Sequence, residues 1–181
     1  RPIHIAFSFD EEIGGLGMPV LLDWMAEHAP RPEIVIVGEP TEMKIITGHK
    51  GGYEMRAEVT GAAVHSSDPA QGVNAISYAM KLIAKIEDMH RARAAAPIPG
   101  SPFRPPYSTF NVGTIEGGAA RNMTAGWCNF NWEYRPLPGE DGAAVIAEIA
   151  DYATTLTAEM QLVDPVSGVR IITEVAVPAL D

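Results

Sequence analysis

The order of hydrophobic periodicities after residue 50 constrains the fold of this chain more than any other feature of its sequence. Apolar and polar residues alternate over residues 53–60, a period of two that is typical of an antiparallel strand with one buried face. Five further patterns follow in the order helix, strand, strand, helix, strand, over residues 73–93, 107–116, 127–135, 143–160 and 169–177. The order βαββαβ predicts a ferredoxin-like α+β domain, in which a four-stranded antiparallel sheet carries two helices on one face.

Three details of this domain follow from individual residues. Gly117-Gly118 separates the second and third strand patterns, which predicts that these strands pair as a hairpin. Cys128, the one cysteine, falls in a strand pattern and is interpreted as a core residue, and a single cysteine excludes an intrachain disulfide. The first helix is predicted to bury one apolar stripe, which comprises Ile76, Met80, Ile83 and Ile86.

A different pattern precedes this domain. Residues 3–9 and 33–37 are almost wholly apolar and flank a helical pattern over residues 16–28, which predicts a βαβ unit of a buried parallel sheet. We therefore expect two parts, an incomplete catalytic α/β domain over residues 1–47 and the ferredoxin-like lid or dimerisation domain over residues 48–178. Because the chain begins without methionine inside a strand pattern, we interpret it as an internal fragment of a longer protein.

Composition narrows the possible partners. The formal net charge is -10 over 181 residues, which argues against nucleic acid and anionic membranes, because both attract clustered Lys and Arg. No apolar run reaches the length of a transmembrane helix, and the chain begins with no signal-peptide pattern. We expect a soluble, cytoplasmic protein with small-molecule or protein partners.

Carboxylates follow both strands of the predicted βαβ unit. Asp10-Glu11-Glu12 comes directly after the first strand and Glu39 directly after the second, where binding groups of parallel sheets commonly lie. Like charges raise one another's pKa unless something positive neutralises them, and a divalent metal would do so. The spacing alone leaves a solvated acidic loop as the alternative.

These carboxylates lie within motifs that resemble one zinc metallopeptidase family. The motifs are Phe9-Asp10-Glu11-Glu12, Gly38-Glu39-Pro40-Thr41, His49-Lys50-Gly51, Gly61-Ala62-Ala63-Val64-His65-Ser66-Ser67 and Arg135-Pro136-Leu137-Pro138-Gly139-Glu140. The family contains carboxypeptidase G, succinyl-diaminopimelate desuccinylase, aminoacylase and acetylornithine deacetylase. The combination of motifs resembles the acetylornithine deacetylase branch most, which implies zinc-dependent removal of the acetyl group from N-acetylornithine in arginine biosynthesis.

The resemblance implies a role for each carboxylate. Glu11 would be the general base, while Glu12 and Glu39 would each ligate a different ion of a two-zinc centre. Zinc lowers the pKa of a coordinated water to about 7, so that a carboxylate can take its proton. The family pattern also needs two histidines and a bridging aspartate that no segment supplies in the right order. We therefore expect this chain alone to bind no zinc and to be inactive.

The resemblance also assigns residues of the lid. His65 would reach across a homodimer into the partner's active site and stabilise the oxyanion there. Asn122 would contact substrate, although the family often has a proline where this chain has Ala125. Arg135 would bind the substrate's carboxylate; a surface ion pair with Glu133 or Glu140 is the alternative.

Two other functions stay open at this point. One is a related deacylase with another acyl group, such as a succinyl-diaminopimelate desuccinylase. The other is a non-catalytic ferredoxin-like module that binds an amino acid or dimerises.

Overall fold

The computed structural model describes residues 2–11 and 14–181 of the chain. These residues divide into two compact units, Arg1–Ile45 and Ile46–Asp181. Among the described residues no helix is both long enough and apolar enough to cross a bilayer.

The second unit has the predicted element order. Its strands are β1 (Gly52–Thr60), β2 (Thr109–Gly117), β3 (Trp127–Arg135) and β4 (Gly168–Val177), and its long helices are α2 (Ala75–Ala94) and α3 (Gly142–Gln161). A 3₁₀ turn, Pro69–Gln71, lies between β1 and α2. The βαββαβ order and the boundaries of its elements, within two residues, are therefore confirmed.

The four strands form one antiparallel sheet in the order β2-β3-β1-β4. β1 lies between β3 and β4, and Tyr53 pairs with both Tyr134 and Ala176. β2 pairs with β3 as the predicted hairpin, with Gly117 opposite Cys128. β2 and β4 therefore have one unpaired edge each within the described residues.

The core lies between one face of this sheet and the two helices. Alternate residues of the central strands are buried, among them Ala57 on β1 and Phe130 on β3. Leu82 of α2 and Ile149 of α3 are fully buried against them. Cys128 is also fully buried, which confirms its interpretation as a core residue, and burial raises the pKa of its thiol.

The buried stripe of α2 is displaced from the predicted stripe, with Ile86 in common. Ile86 is fully buried, but the side chain of Met80 is 62% exposed. The residues that face the core are smaller or shifted by one or two positions: Ala75, Ala79, Leu82, Ile86 and Met89. Small alanines let the helix approach the sheet closely, so the larger residues beside them lie at the margin of the interface.

The first unit retains only the helix of the predicted βαβ pattern. α1 spans Gly17–His28, but residues 2–9 and 33–37 form no strand in the described structure. The prediction of those two strands is wrong for this structure, because a parallel strand needs neighbouring strands for its backbone hydrogen bonds. Their apolar side chains are exposed, with Ile3 90% and Ile36 89% accessible.

Candidate functional site at the free end of the sheet

Two loops meet where β1 ends and β3 begins. The backbone N–H of Ser66 donates to the carbonyl oxygen of Asn122 at 3.0 Å, and Thr124 N–H donates to Val64 O at 2.8 Å. His65 and Met123 form an isolated antiparallel bridge between the same segments. The structure thus brings the loops of His65 and Asn122 together, as neighbours at one end of the sheet.

The imidazole of His65 is exposed and has a defined orientation. Its Nδ1 accepts from the backbone N–H of Ser67 at 3.2 Å and lies 2.8 Å from Ser67 Oγ. Because Nδ1 is an acceptor, the neutral ring carries its proton on Nε2. His65 therefore offers an Nε2–H donor, the group needed to stabilise an oxyanion.

Glycines permit the close approach of these loops. Gly118 has φ of +72°, and a Cβ there would lie 3.3 Å from Ile76 Cδ1. A Cβ on Gly61 would lie 2.2 Å from Val73 O, closer than any side chain tolerates. Ala125 stands where the family often has proline, yet its carbonyl accepts from Ala75 N–H at 2.8 Å and fixes the loop against α2.

The start of α2 completes this end of the sheet. Asn74 caps the helix, because its Oδ1 accepts from the N–H groups of Ile76 at 3.1 Å and Ser77 at 3.3 Å. A cavity of about 460 Å³ lies beside the cap, within the usual range of small-molecule sites. Its lining comprises Asn74, Ile76, Gly117, Gly118, Ala119, Ala120, Arg121, Met123 and Ala125.

Arg135 lies at the opposite end of the sheet. It pairs with Thr109 at the end of β3, whereas β3 begins at Trp127, opposite the end of β1. Nine-residue strands are about 27 Å long. Arg135 also forms the ion pair with Glu133, at 2.8 Å, that the sequence left as an alternative to substrate binding.

The segment at the start of the second unit contacts the C-terminal residues of the chain and the loop before β2. His49 and Leu180 exchange backbone hydrogen bonds of 2.8 and 2.9 Å. Lys50 Nζ donates to Tyr107 O at 2.7 Å, and burial lowers the pKa of its ammonium group. His49 thus lies at the join between units, and its Nδ1 contacts the neighbouring Lys50 carbonyl.

The predicted catalytic carboxylates lie in the first unit. Glu11 and Glu39 are exposed, and their carbonyl oxygens accept from Gly14 N–H and Thr41 N–H at 3.2 and 2.8 Å. Glu12 lies outside the described residues. Within residues 2–11 and 14–181, no three His, Cys, Asp or Glu side chains converge to hold a metal, so a zinc centre that includes Glu39 would need ligands from outside these residues.

Residues 47–161 match the family model described as the peptidase dimerisation domain. The chain belongs to the M20 peptidase dimerisation-domain family. Among relatives of M20 type, acetylornithine deacetylase of Aliivibrio fischeri is 35% identical over 139 residues, which cover 77% of this chain and 36% of that protein. Its counterpart from Edwardsiella ictaluri is 37% identical over 139 residues, covering 77% of the chain and 35% of the relative. The chain thus spans about a third of the length of these relatives.

Solved structures share the M20 lid fold at low sequence identity. Aminopeptidase PepT of Bacillus cereus matches with a TM-score of 0.56 and 23% identity, over 75% of this chain and 32% of that chain. A hydantoinase/carbamoylase family amidase of Burkholderia vietnamiensis matches with a TM-score of 0.61 and 15% identity, over 74% and 29% of the two chains. These likenesses support the fold alone.

Sequence reasoning missed one residue of this site. Arg121 lines the cavity, and it drew no attention because none of the recognised motifs contains it. Arg121 directly precedes Asn122 in the loop after Gly117-Gly118. This position in the sequence could have indicated Arg121 as a candidate.

Proposed function

We propose that this chain is the lid and part of the catalytic domain of a zinc-dependent amidohydrolase that removes the acetyl group from N-acetylornithine in arginine biosynthesis. The observation that carries the proposal is the meeting of His65 and Asn122 beside a cavity at one end of the lid sheet. An Nε2–H donor, an amide side chain and a ligand-sized cavity are the parts that a site for a small acylated amino acid requires.

The distance between Arg135 and His65 supports a homodimer. One substrate of amino-acid size cannot touch both ends of a sheet that is about 27 Å long. If Arg135 and His65 act on the same substrate, they must therefore come from different subunits. In this proposal each active site combines Glu11, Glu12, Glu39 and Arg135 of one chain with His65 and Asn122 of the other.

The edge of β2 is the surface that we assign to the dimer. Glu116 is the one charged residue of β2, whereas β4 carries Arg170 and Glu174. Ile115 on β2 is 53% exposed and Met80 on α2 is 62% exposed, and α2 packs beside β2. Two β2 edges related by a two-fold axis would join the sheets and cover both side chains.

The carboxylates of the first unit have separate roles in the proposal. Glu11 accepts the proton of the water that attacks the acetyl carbonyl and returns it to the leaving amine. Glu12 and Glu39 would hold zinc, and the rest of the enzyme would supply the other ligands. Zinc, when bound, lowers the pKa of a coordinated water to about 7. The chain by itself would have too few ligands to retain zinc and would be inactive.

The test is hydrolysis of N-acetylornithine by the full gene product that contains this chain, with zinc and after chelation. We expect metal-dependent release of ornithine, and a loss of at least about a hundredfold in kcat for Glu11→Gln. N-Succinyl-diaminopimelate is the rival substrate, and turnover of this compound alone would assign the protein to a sister deacylase. If no acyl-amino acid is turned over, a non-catalytic module that binds an amino acid or dimerises would be the better interpretation.

A further inference from the structure

Arg121 differs from most other cations of the lid in having no carboxylate partner. Within the described residues of the second unit, six of the Lys and Arg side chains form ion pairs with Asp or Glu: Arg56, Lys81, Lys85, Arg91, Arg93 and Arg170. Arg135 does so as well, with Glu133. Arg121 is exposed and makes no hydrogen bond or ion pair in this part of the chain.

The surroundings of Arg121 favour an anionic ligand. It lines the cavity of about 460 Å³ beside Asn74, and no acidic residue shares that lining. A second cavity, of about 300 Å³ on the open face of the sheet, has three carboxylates in its lining, those of Glu54, Glu133 and Glu174. The chain as a whole has a net charge of -10. Of these two cavities, the one lined by Arg121 has the positive charge that attracts a carboxylate.

The N–H groups at the start of α2 are already occupied by other acceptors. Ala75 N–H donates to Ala125 O, and those of Ile76 and Ser77 donate to Asn74 Oδ1. An anion in the cavity would therefore need a side-chain donor. Arg121 supplies a planar guanidinium that can bind a carboxylate through two parallel hydrogen bonds.

We propose that Arg121 binds the α-carboxylate of the substrate, in the active site that His65 serves. Arg121 precedes Asn122, whose carbonyl is hydrogen-bonded to Ser66 beside His65, so the guanidinium, the amide and the imidazole belong to one loop cluster. Arg135, which the proposed dimer would bring to the same site, is already paired with Glu133 at 2.8 Å, so Arg121 supplies a second positive charge there. This inference rests on the proposed function and names the residue that selects an acyl-amino acid over an uncharged amide.

The experiment compares N-acetylornithine with its α-carboxamide as substrates of the full gene product. Arg121→Gln is expected to lower kcat/KM for the acid by about ten- to a hundredfold, mainly through KM, because a charge-assisted hydrogen-bonded pair is lost. Activity on the carboxamide should change less than about threefold. Arg121→Lys should recover part of the loss, because it keeps the charge without the bidentate geometry.

Arg104→Gln is the matched control, since Arg104 is another exposed arginine without an ion pair in the described residues and does not line the cavity. Equal losses on the acid and the carboxamide for Arg121→Gln, or no loss on either, would overturn the inference while leaving the proposed function intact. A wild-type enzyme that hydrolyses neither compound would overturn the proposed function and this inference with it.

Discussion

At the residue scale, Glu140 joins three segments of the lid that are distant in sequence. One carboxylate oxygen accepts from Arg93 Nε and Nη2 at 3.0 and 2.7 Å, and the other accepts from Ser108 Oγ. Ser108 Oγ in turn accepts from Leu137 N–H at 2.8 Å. Burial alone would raise the pKa of Glu140, but the hydrogen bonds from Ser108 and Arg93 outweigh it and hold that pKa below its ordinary value.

We predict that Glu140→Gln lowers the free energy of unfolding by about 1–3 kcal/mol at neutral pH, because the half-buried Arg93 loses its counter-ion. The folded pKa is depressed, so this contribution is present above the unfolded pKa of about 4.3 and is lost as the pH falls through the folded value. Urea denaturation of both proteins between about pH 7 and pH 3 measures the difference.

Glu133→Gln is the control for this measurement, because its ion pair with Arg135 is more exposed. We expect Glu133→Gln to change the free energy of unfolding by no more than about 0.5–1 kcal/mol at neutral pH. A loss for Glu140→Gln that persisted unchanged at about pH 3 would contradict the electrostatic explanation.

The sequence motifs identified His65 and Asn122 as candidate site residues. They did not show which side chains surround these two residues in the folded chain. Arg135 illustrates the difference, because both of its possible partners, substrate and Glu133, were visible in the sequence. Its pairing with Glu133 depends on two side chains on the same face of β3, and an exposed pair of this kind depends on rotamers that sequence does not determine. Arg121 became notable only once a cavity and the absence of a counter-ion in the described residues were known.

At the scale of elements, the loop after β2 depends on the left-handed backbone of Gly118. We predict that Gly118→Ala destabilises the fold by about 1–3 kcal/mol, from backbone strain and from contact with Ile76. Gly100 has a similar φ of +76°, but a Cβ added there would have no neighbouring atom within 4 Å. Gly100→Ala should therefore show the strain alone, and thermal unfolding of both variants separates the two effects.

An Ile76→Ala background makes this comparison sharper. If contact with Ile76 Cδ1 contributes, the excess loss of Gly118→Ala over Gly100→Ala should shrink in that background. An unchanged excess would show that contact with Ile76 is not the cause.

Helix α2 supplies a second prediction at this scale. Leu82 is fully buried whereas Met80 is 62% exposed, although hydrophobic periodicity assigned Met80 to the core. Leu82→Ala should lower the free energy of unfolding by about 2–5 kcal/mol and Met80→Ala by less than about 1 kcal/mol. Chemical denaturation at concentrations too low for dimerisation measures both, and equal losses in the monomer would mean that Met80 belongs to the core of the single chain.

Periodicity predicted the central strands of the lid well because β1 and β3 each have one buried and one more exposed face. It failed for residues 3–9 and 33–37 for a physical reason. A continuous apolar run becomes a strand only when neighbouring strands complete its hydrogen bonds, and the described residues provide none for these segments.

At the scale of the whole molecule, the lid is expected to dimerise through β2. Ile115→Lys should weaken the dimer, because a charge on the unpaired edge opposes strand pairing. Ile98→Lys is a close control, since Ile98 is 52% exposed and Ile115 is 53% exposed, but Ile98 lies in the loop before β2. Sedimentation velocity over a concentration series compares the two, and a dimer equally stable in both variants would exclude this edge.

We expect His65 of one chain to serve the active site of the other. The most direct measurement mixes two inactive variants of the full gene product, Glu11→Gln and His65→Gln, under conditions that exchange subunits, and assays N-acetylornithine hydrolysis. If His65 acts across the dimer, each mixed dimer regains one intact site, and activity should rise to about a quarter of the wild-type value. If His65 acts within its own chain, or not at all, the mixture will be no more active than the better of the two variants alone.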